Sequence, residues 1–423
     1  MKYFKRIVLK NGLRIILAPQ PSSLATTVLV LVEAGSKYET KNINGLSHFL
    51  EHMCFKGTTK RPQAIDIASE LDALGASYNA FTSQEWTGYY AKVETNNADK
   101  ALDIISDLYL NPTFAAAEIE KEKGVIIEEL NMYEDTPQRK VHDLFSTVLY
   151  GDQPAGWDIG GRKEVIRKLN RNNFIKYRDK HYVAKATTVV IAGAIDEKSL
   201  LPKIKDHFIN ISSGQKSRKI KTIEIQARPK SLVRFKESDQ THLIIGCRAF
   251  NAFDKRRYAL DVLSNILGGG MSSRLFQKVR EELGAAYYIG SNSELFTDHG
   301  YFAAAAGVDH QKIEIVIKAI LKEFSALTDK NVPASELRRA KDSLSGRLIL
   351  GLETSDALAM FYGGQEVMKE KIVTPKEILQ KIRLVTPEEV KAVAKYIFQN
   401  NKLNLSVIGP YKNSAKIAGL LRL

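Results

Sequence analysis

The spacing of apolar and polar residues near the amino terminus predicts a β-hairpin, because residues 7–9 and 14–17 flank an Asn11-Gly12 pair suited to a tight turn. A β-branched run over residues 26–33 predicts a strand, and residues 45–55 change to helical spacing. Pro62 is placed to open a helix over residues 63–74. Residues 78–94 read as strand, 98–110 and 115–133 as helices, and 187–193 as a further strand. The second half replays much of this order, with strand at 242–249, helix at 256–267 and strand signal over 287–308. The predicted fold class is α+β: two structurally related α/β halves, each a mostly antiparallel sheet covered by helices.

Local similarity supports a duplication. Gly75-Ala76-Ser77-Tyr78 and then Thr87-Gly88-Tyr89-Tyr90-Ala91 are echoed by Gly284-Ala285-Ala286-Tyr287 and then His299-Gly300-Tyr301-Phe302-Ala303. Pro112 with Glu118 is echoed by Pro333 with Glu336, each pair at the start of a long helix. Between the halves lies a polar, basic stretch with Lys216, Arg218, Lys219, Lys221, Gly214 and Pro229. The expected organisation is therefore a first domain over residues 1–211, a linker over 212–230 and a second domain over 231–423.

Composition narrows the class. With 44% hydrophobic and 26% charged residues, a chain of 423 residues has enough apolar material for large cores and too little bias for a disordered or repetitive protein. Apolar stretches such as 28–32 and 189–192 fall far short of the roughly 18–20 residues of a membrane helix, so no membrane span is expected. Lys10, Asn11 and Arg14 interrupt any signal-peptide run, which argues for a cytoplasmic protein. The net charge of +14 is uneven, since residues 212–423 hold 34 Lys/Arg against 22 Asp/Glu. The basic residues are scattered rather than clustered and accompany no nucleic-acid motif, so no nucleic-acid partner is expected. Cys54 and Cys247 are the only cysteines, which excludes a disulfide framework and leaves a zinc site to His and carboxylates.

The sharpest feature is His48-Phe49-Leu50-Glu51-His52, a histidine pair at i and i+4 within the helical segment. Both imidazoles share one face and offer a divalent metal two ligands from one rigid element. Glu51, three residues after His48, lies on the same face, where it suits a general base that takes a proton from water and passes it to a leaving amine. A catalytic zinc takes a third protein ligand. The acidic helical stretch offers Glu118, Glu120, Glu122, Glu128, Glu129 and Glu134, and spacing alone does not choose among them; Glu122 and Glu129, seven apart, share a face.

Residues 45–52 followed by Met53-Cys54-Phe55-Lys56-Gly57-Thr58 resemble the inverted zincins of the pitrilysin, insulin-degrading enzyme and mitochondrial processing peptidase family, over nearly the whole chain. The resemblance implies one zinc ion (Zn2+) per chain held by His48, His52 and Glu129. It makes Glu51 the catalytic base and Glu122, seven residues before Glu129, an acidic partner behind the ligands. Asn79-Ala80-Phe81-Thr82-Ser83 resembles the edge strand on which the family's substrates add as a β-strand, which makes Asn79, Ala80 and Phe81 substrate-binding residues. Gly268-Gly269-Gly270-Met271-Ser272-Ser273-Arg274-Leu275-Phe276, then Arg280 and Tyr287, resembles the stretch with the family's substrate-binding Arg/Tyr pair. Tyr287 is also expected to serve the developing oxyanion. The stretch 154–161, Pro-Ala-Gly-Trp-Asp-Ile-Gly-Gly, departs from the more basic one of many relatives.

In the register that aligns Gly75 with Gly284, His48 corresponds to Arg257, and no His-x-x-Glu-His occurs in the second half. One catalytic domain and one related, non-catalytic domain that helps bind substrate are therefore expected. The resemblance implies a zinc-dependent endopeptidase acting on peptides or unfolded, presequence-like segments in a clamshell chamber. It also implies a homodimer, or a heterodimer with a related chain. The alternative is a catalytically silent binding or assembly subunit that partners a second chain.

Overall fold

In a computed structural model, residues 3–368 and 371–423 are described. The first half of the chain runs β1 (Lys5–Val8), β2 (Arg14–Pro19), β3 (Ala25–Val32), α1 (Leu46–Cys54), α2 (Ala64–Ala73), β4 (Ser77–Thr82), β5 (Thr87–Glu94), α3 (Ala98–Leu110), α4 (Ala116–Glu134), α5 (Pro137–Tyr150) and β6 (Thr187–Gly193). The second contributes β7 (Lys230–Phe235), β8 (Thr241–Arg248), β9 (Ala286–Leu295), β10 (Gly300–Val308) and β11 (Leu403–Gly409), with long helices between. The sheet orders are β1-β2-β6-β3-β5-β4 and β7-β11-β8-β10-β9. From β2 and from β7 outward the two sheets share one plan: a parallel pair (β2 with β6, β7 with β11), then antiparallel pairings to an edge strand, β4 or β9. The fold class expected from the sequence is the one observed.

The chain forms two compact units, each discontinuous in sequence. One contains residues 1–130, 158–220 and 350–372, the other 131–157, 221–349 and 373–423. In the first unit both faces of the central strands are covered. Ile15, Leu17, Val28, Val30, Val189 and Ile191 point into the larger core with α1 and α3, while Ile16, Ala18, Leu29, Leu31, Val190 and Ala192 pack against Ala359, Tyr362 and Val367 of the helix Ser355–Val367. Burial on both faces explains why these strands read as unbroken apolar runs rather than as alternations. At Gly363 of that helix a Cβ would stand 2.6 Å from Leu31 Cδ1, so glycine permits the close approach to the sheet. In the second unit Leu243, Ile245 and Cys247 face the main core, and Ile244, Ala303 and Ile408 face Val141, Phe145 and Leu149 of α5.

Two expectations need correction. Residues 78–94 and 287–308 are not single strands: each is a hairpin, β4–β5 and β9–β10. Ser83 makes the first turn by donating its N–H to the Trp86 carbonyl at 2.9 Å and accepting the Trp86 N–H at Oγ, 3.1 Å away. The Phe296 N–H donates to the His299 carbonyl across the second. Neither turn contains the Asn-Gly or Gly-Gly signal that marks a hairpin in sequence. Residues 212–229 contain no helix or strand, and β7 begins at Lys230.

Candidate active site

α1 is amphipathic at helical spacing: Leu46, Phe49, Leu50 and Met53 are buried in the core of the first unit. The helix is preceded by Gly45 at φ +97°, where a Cβ would lie 2.6 Å from the Gly160 carbonyl oxygen and 2.9 Å from Gly161 Cα. Two glycines of the stretch 154–161 thus pack against the start of α1. With one face of α1 committed to the core, His48, Glu51 and His52 turn the other way. α4 buries Ile119, Glu122, Ile126 and Leu130, and that commitment sets its rotation and brings Glu129 to the two histidines.

The donor atoms converge. His48 Nε2 and His52 Nε2 are 3.3 Å apart, and Glu129 Oε2 is 3.6 Å from the first and 3.5 Å from the second. Four-coordinate zinc with ligands at about 2.0–2.1 Å separates neighbouring ligand atoms by about 3.3–3.4 Å. Two imidazole nitrogens and one carboxylate oxygen at these spacings therefore fit a tetrahedral zinc with one position left open. Behind them, Glu122 Oε1 accepts from His52 Nδ1 at 2.9 Å, which leaves the Nε2 lone pair directed at the cluster. Lys56 Nζ takes the other Glu122 oxygen at 2.7 Å.

Charge is tuned by burial and neighbours. Burial pushes the Glu51 carboxyl above its ordinary range, opposed by a hydrogen bond from Thr82 and the charge of His52 and assisted by the negative charge of Glu129. Burial works against a charged His52, but the hydrogen bond and charge of Glu122, then Glu129 and Glu51, outweigh it and raise the pKa. Burial likewise opposes the Glu122 charge, and His52 and Lys56 outweigh that and lower the pKa. Cys54, in the same helix, is buried and pushed up to about 12, which keeps its thiol protonated and inert.

β4 is the edge of the first sheet, and Asn79, Ala80 and Phe81 lie on it. The Ala80 N–H donates to Asn79 Oδ1 at 2.8 Å. Phe81 lies over Gly88 of β5 and meets Trp86 edge-on with ring centres 5.2 Å apart. Arg280 and Tyr287 belong to the second unit: Tyr287 stands on the edge strand β9 with 63% of its surface exposed, and the Arg280 guanidinium lies 4.9 Å from the Phe276 ring centre. Two contributors escape the sequence reading. Thr82 Oγ1, at the end of β4, donates to Glu51 Oε2 at 2.6 Å, and Lys56 pairs with Glu122 as above. Both belong to quoted motifs, but only the packing of β4 and α4 against α1 reveals their partners.

Two sheet-and-helix units on one plan, one of them with a His/His/Glu cluster spaced for zinc, define the class. Residues 14–162 match the family described as insulinase, peptidase family M16, and residues 168–344 match the peptidase M16 inactive domain. The chain belongs to the M16 family. A Bacillus subtilis protein described as an uncharacterized zinc protease is 35% identical over 97% of this chain and 99% of its own length. A Streptomyces coelicolor protein with the same description is 34% identical over 97% and 90%. The crystal structure of a protease from Helicobacter pylori superposes with a TM-score of 0.90 at 22% identity, covering 96% of this chain and 99% of that one.

Proposed function

We propose that the chain is a zinc-dependent endopeptidase that cleaves peptides or unfolded, presequence-like segments bound in extended form. The observation that supports this reading is the convergence of His48 Nε2, His52 Nε2 and Glu129 Oε2, with Glu51 on the same face of α1. His48, His52 and Glu129 would hold one zinc, which when bound supplies Lewis-acid polarisation and acidifies water. Glu51 takes the proton of the attacking water and returns it to the leaving amine, while Thr82 holds its Oε2 in place. Glu122 fixes the His52 ring through Nδ1. The substrate backbone adds to β4 at Asn79, Ala80 and Phe81, and for this the Asn79 amide oxygen must release the Ala80 N–H. From the second unit, Arg280 donates to substrate carbonyls or a carboxylate, and Tyr287 donates to the developing oxyanion.

We assign the working form to a dimer of this chain or a pair with a related chain, in the cytoplasm. Both cysteines are buried and free, and among the described residues no helix is long and apolar enough to cross a membrane. The test is cleavage of a quenched peptide by the zinc-loaded full chain. Chelation should abolish turnover and zinc restore it. Glu51→Gln should cut the rate about 10²–10⁴-fold with zinc retained. A zinc-loaded chain that binds peptides but cleaves none would establish the silent-subunit alternative instead.

A further inference from the structure

Glu39 is fully buried, yet it belongs to neither the zinc cluster nor the substrate edge. It follows the short turn Ser36–Tyr38 and reaches the start of α1 from outside the helix. Its Oε1 accepts the Ser47 N–H at 2.6 Å, and its Oε2 accepts the Gly45 N–H at 2.8 Å and the Asn44 side-chain amide at 3.1 Å. These donors need an acceptor. The first turn of a helix leaves its N–H groups without intrahelical partners, Gly45 has no side chain to cap them, and α1 has no acidic residue in its first turn. One remote carboxylate therefore satisfies two backbone donors and favours the positive end of the helix dipole.

Such a carboxylate is costly to keep. Burial pushes Glu39 up to about 7, with the Ser47, Gly45 and Asn44 donors opposing the rise. An uncharged residue at this position avoids that cost, but an apolar one leaves the amides bare and a glutamine turns its own N–H2 toward donors. The feature that repays a charged anchor here lies one residue further on. Ser47 precedes His48, and α1 is only 9 residues long, with His48, Glu51 and His52 all on it. Ser47 is held twice over, since its Oγ is 2.7 Å from the Tyr177 hydroxyl, which in turn donates to the Gly35 carbonyl at 3.2 Å. Asn44 is likewise tied to the Asp158 carbonyl at 3.1 Å.

We propose that Glu39 is a positioning residue that pins the first turn of α1, and through it sets the placement of His48 and Glu51 at the metal cluster. This rests on the zinc-peptidase reading for its effect on catalysis, though not for its effect on the helix. A shift of a fraction of an ångström in α1 moves the ligands His48 and His52 and the base Glu51, while Glu129 and Glu122 stay fixed on α4. Positioning of that kind governs ligand affinity and rate rather than substrate affinity.

The full chain with Glu39→Gln tests it by zinc affinity in a chelator competition, by hydrogen exchange at the Gly45 and Ser47 amides, and by the split of kcat and KM. The expected result is zinc affinity lowered about 10–100-fold, faster exchange confined to the start of α1, kcat reduced and KM within a few-fold. Glu39→Asp, which keeps the charge on a shorter stem, should recover part of the loss. A folded Glu39→Gln chain with zinc affinity, amide exchange and kcat all within twofold of the parent overturns the proposal. If Glu39→Gln does not fold, Asn44→Ala, which removes one of the three donors, decides in the same way: a smaller loss in the same direction supports the proposal, and parent-like behaviour overturns it. A parent that binds zinc without cleaving peptides refutes the peptidase reading alone, because affinity and exchange still judge Glu39.

Discussion

At the scale of single residues, the histidine pair was legible because i and i+4 positions share a helix face whatever the surrounding fold. The third carboxylate was not, since six glutamates lie close together on one acidic helix and only the burial of Ile119, Ile126 and Leu130 sets the rotation that delivers Glu129. The resemblance to the zincins named Glu129 and Glu122, and the geometry gives them different neighbours: Glu129 Oε2 faces both Nε2 atoms, whereas Glu122 bonds to Nδ1 of His52 and to Lys56. The two conservative substitutions should therefore separate. Glu129→Gln replaces the anionic donor of the cluster with a weak neutral amide oxygen, and metal titration should show zinc retention largely lost. Glu122→Gln leaves all three donors and should weaken zinc by about 10–100-fold, in line with the loss of an outer hydrogen-bond partner of a ligand. Equal loss in the two variants would contradict this division of roles.

At the scale of elements, periodicity located most strands and helices of the first half, and it failed where a turn lacked a sequence signal. Ser83 hides the turn after β4, so a continuous strand prediction conceals the fact that β4 is an edge and that its last residue bends toward α1. β11 shows a second kind of failure. It pairs with both β7 and β8 inside the second sheet, yet its seven residues include Asn404 and Ser406, whose polar groups bond to Gln226 and the Lys402 carbonyl and to the Val141 carbonyl. Buried donors that find an acceptor, here the Asn404 amide N–H2 and the Ser406 hydroxyl, break the apolar pattern without breaking the strand. The joint between β4 and α1 is testable through Thr82, whose hydroxyl donates to Glu51. Thr82→Val keeps the shape and the β propensity but removes the donor. It should lower kcat about 10–100-fold, consistent with the loss of a hydrogen bond to a charged group worth about 1.5–3 kcal/mol. Thr82→Ser should restore most of the rate. A Thr82→Val chain with parent-like kcat would mean that Glu51 is held by other contacts.

At the scale of the whole molecule, the sequence reading cut the chain into consecutive halves, whereas the compact units exchange helices along the chain. The helix Ser355–Val367, from the second half of the sequence, covers Ile16, Leu29, Leu31 and Val190 of the first sheet, and Lys92 and Thr27 reach it through Asp356 and Ser355. α5, from the first half, covers Ile244, Ala303 and Ile408 of the second sheet. No local pattern records such an exchange, because an apolar face in sequence does not say which sheet it will meet. The consequence concerns fragments. A chain ending at residue 211 lacks the helix that buries one face of its sheet. Each large apolar side chain left uncovered there forfeits about 1.5–3 kcal/mol, so a few of them amount to the whole stability of a typical domain. That fragment should be expanded and dye-binding, and residues 231–423 alone should be so too. A full chain nicked by limited proteolysis within 212–229, where no helix or strand is interrupted, should by contrast stay together and keep its thermal midpoint, since each piece retains the helix that the other unit needs. Size-exclusion chromatography of the nicked protein without denaturant decides the matter: two separate, folded pieces would show that the exchanged helices are dispensable.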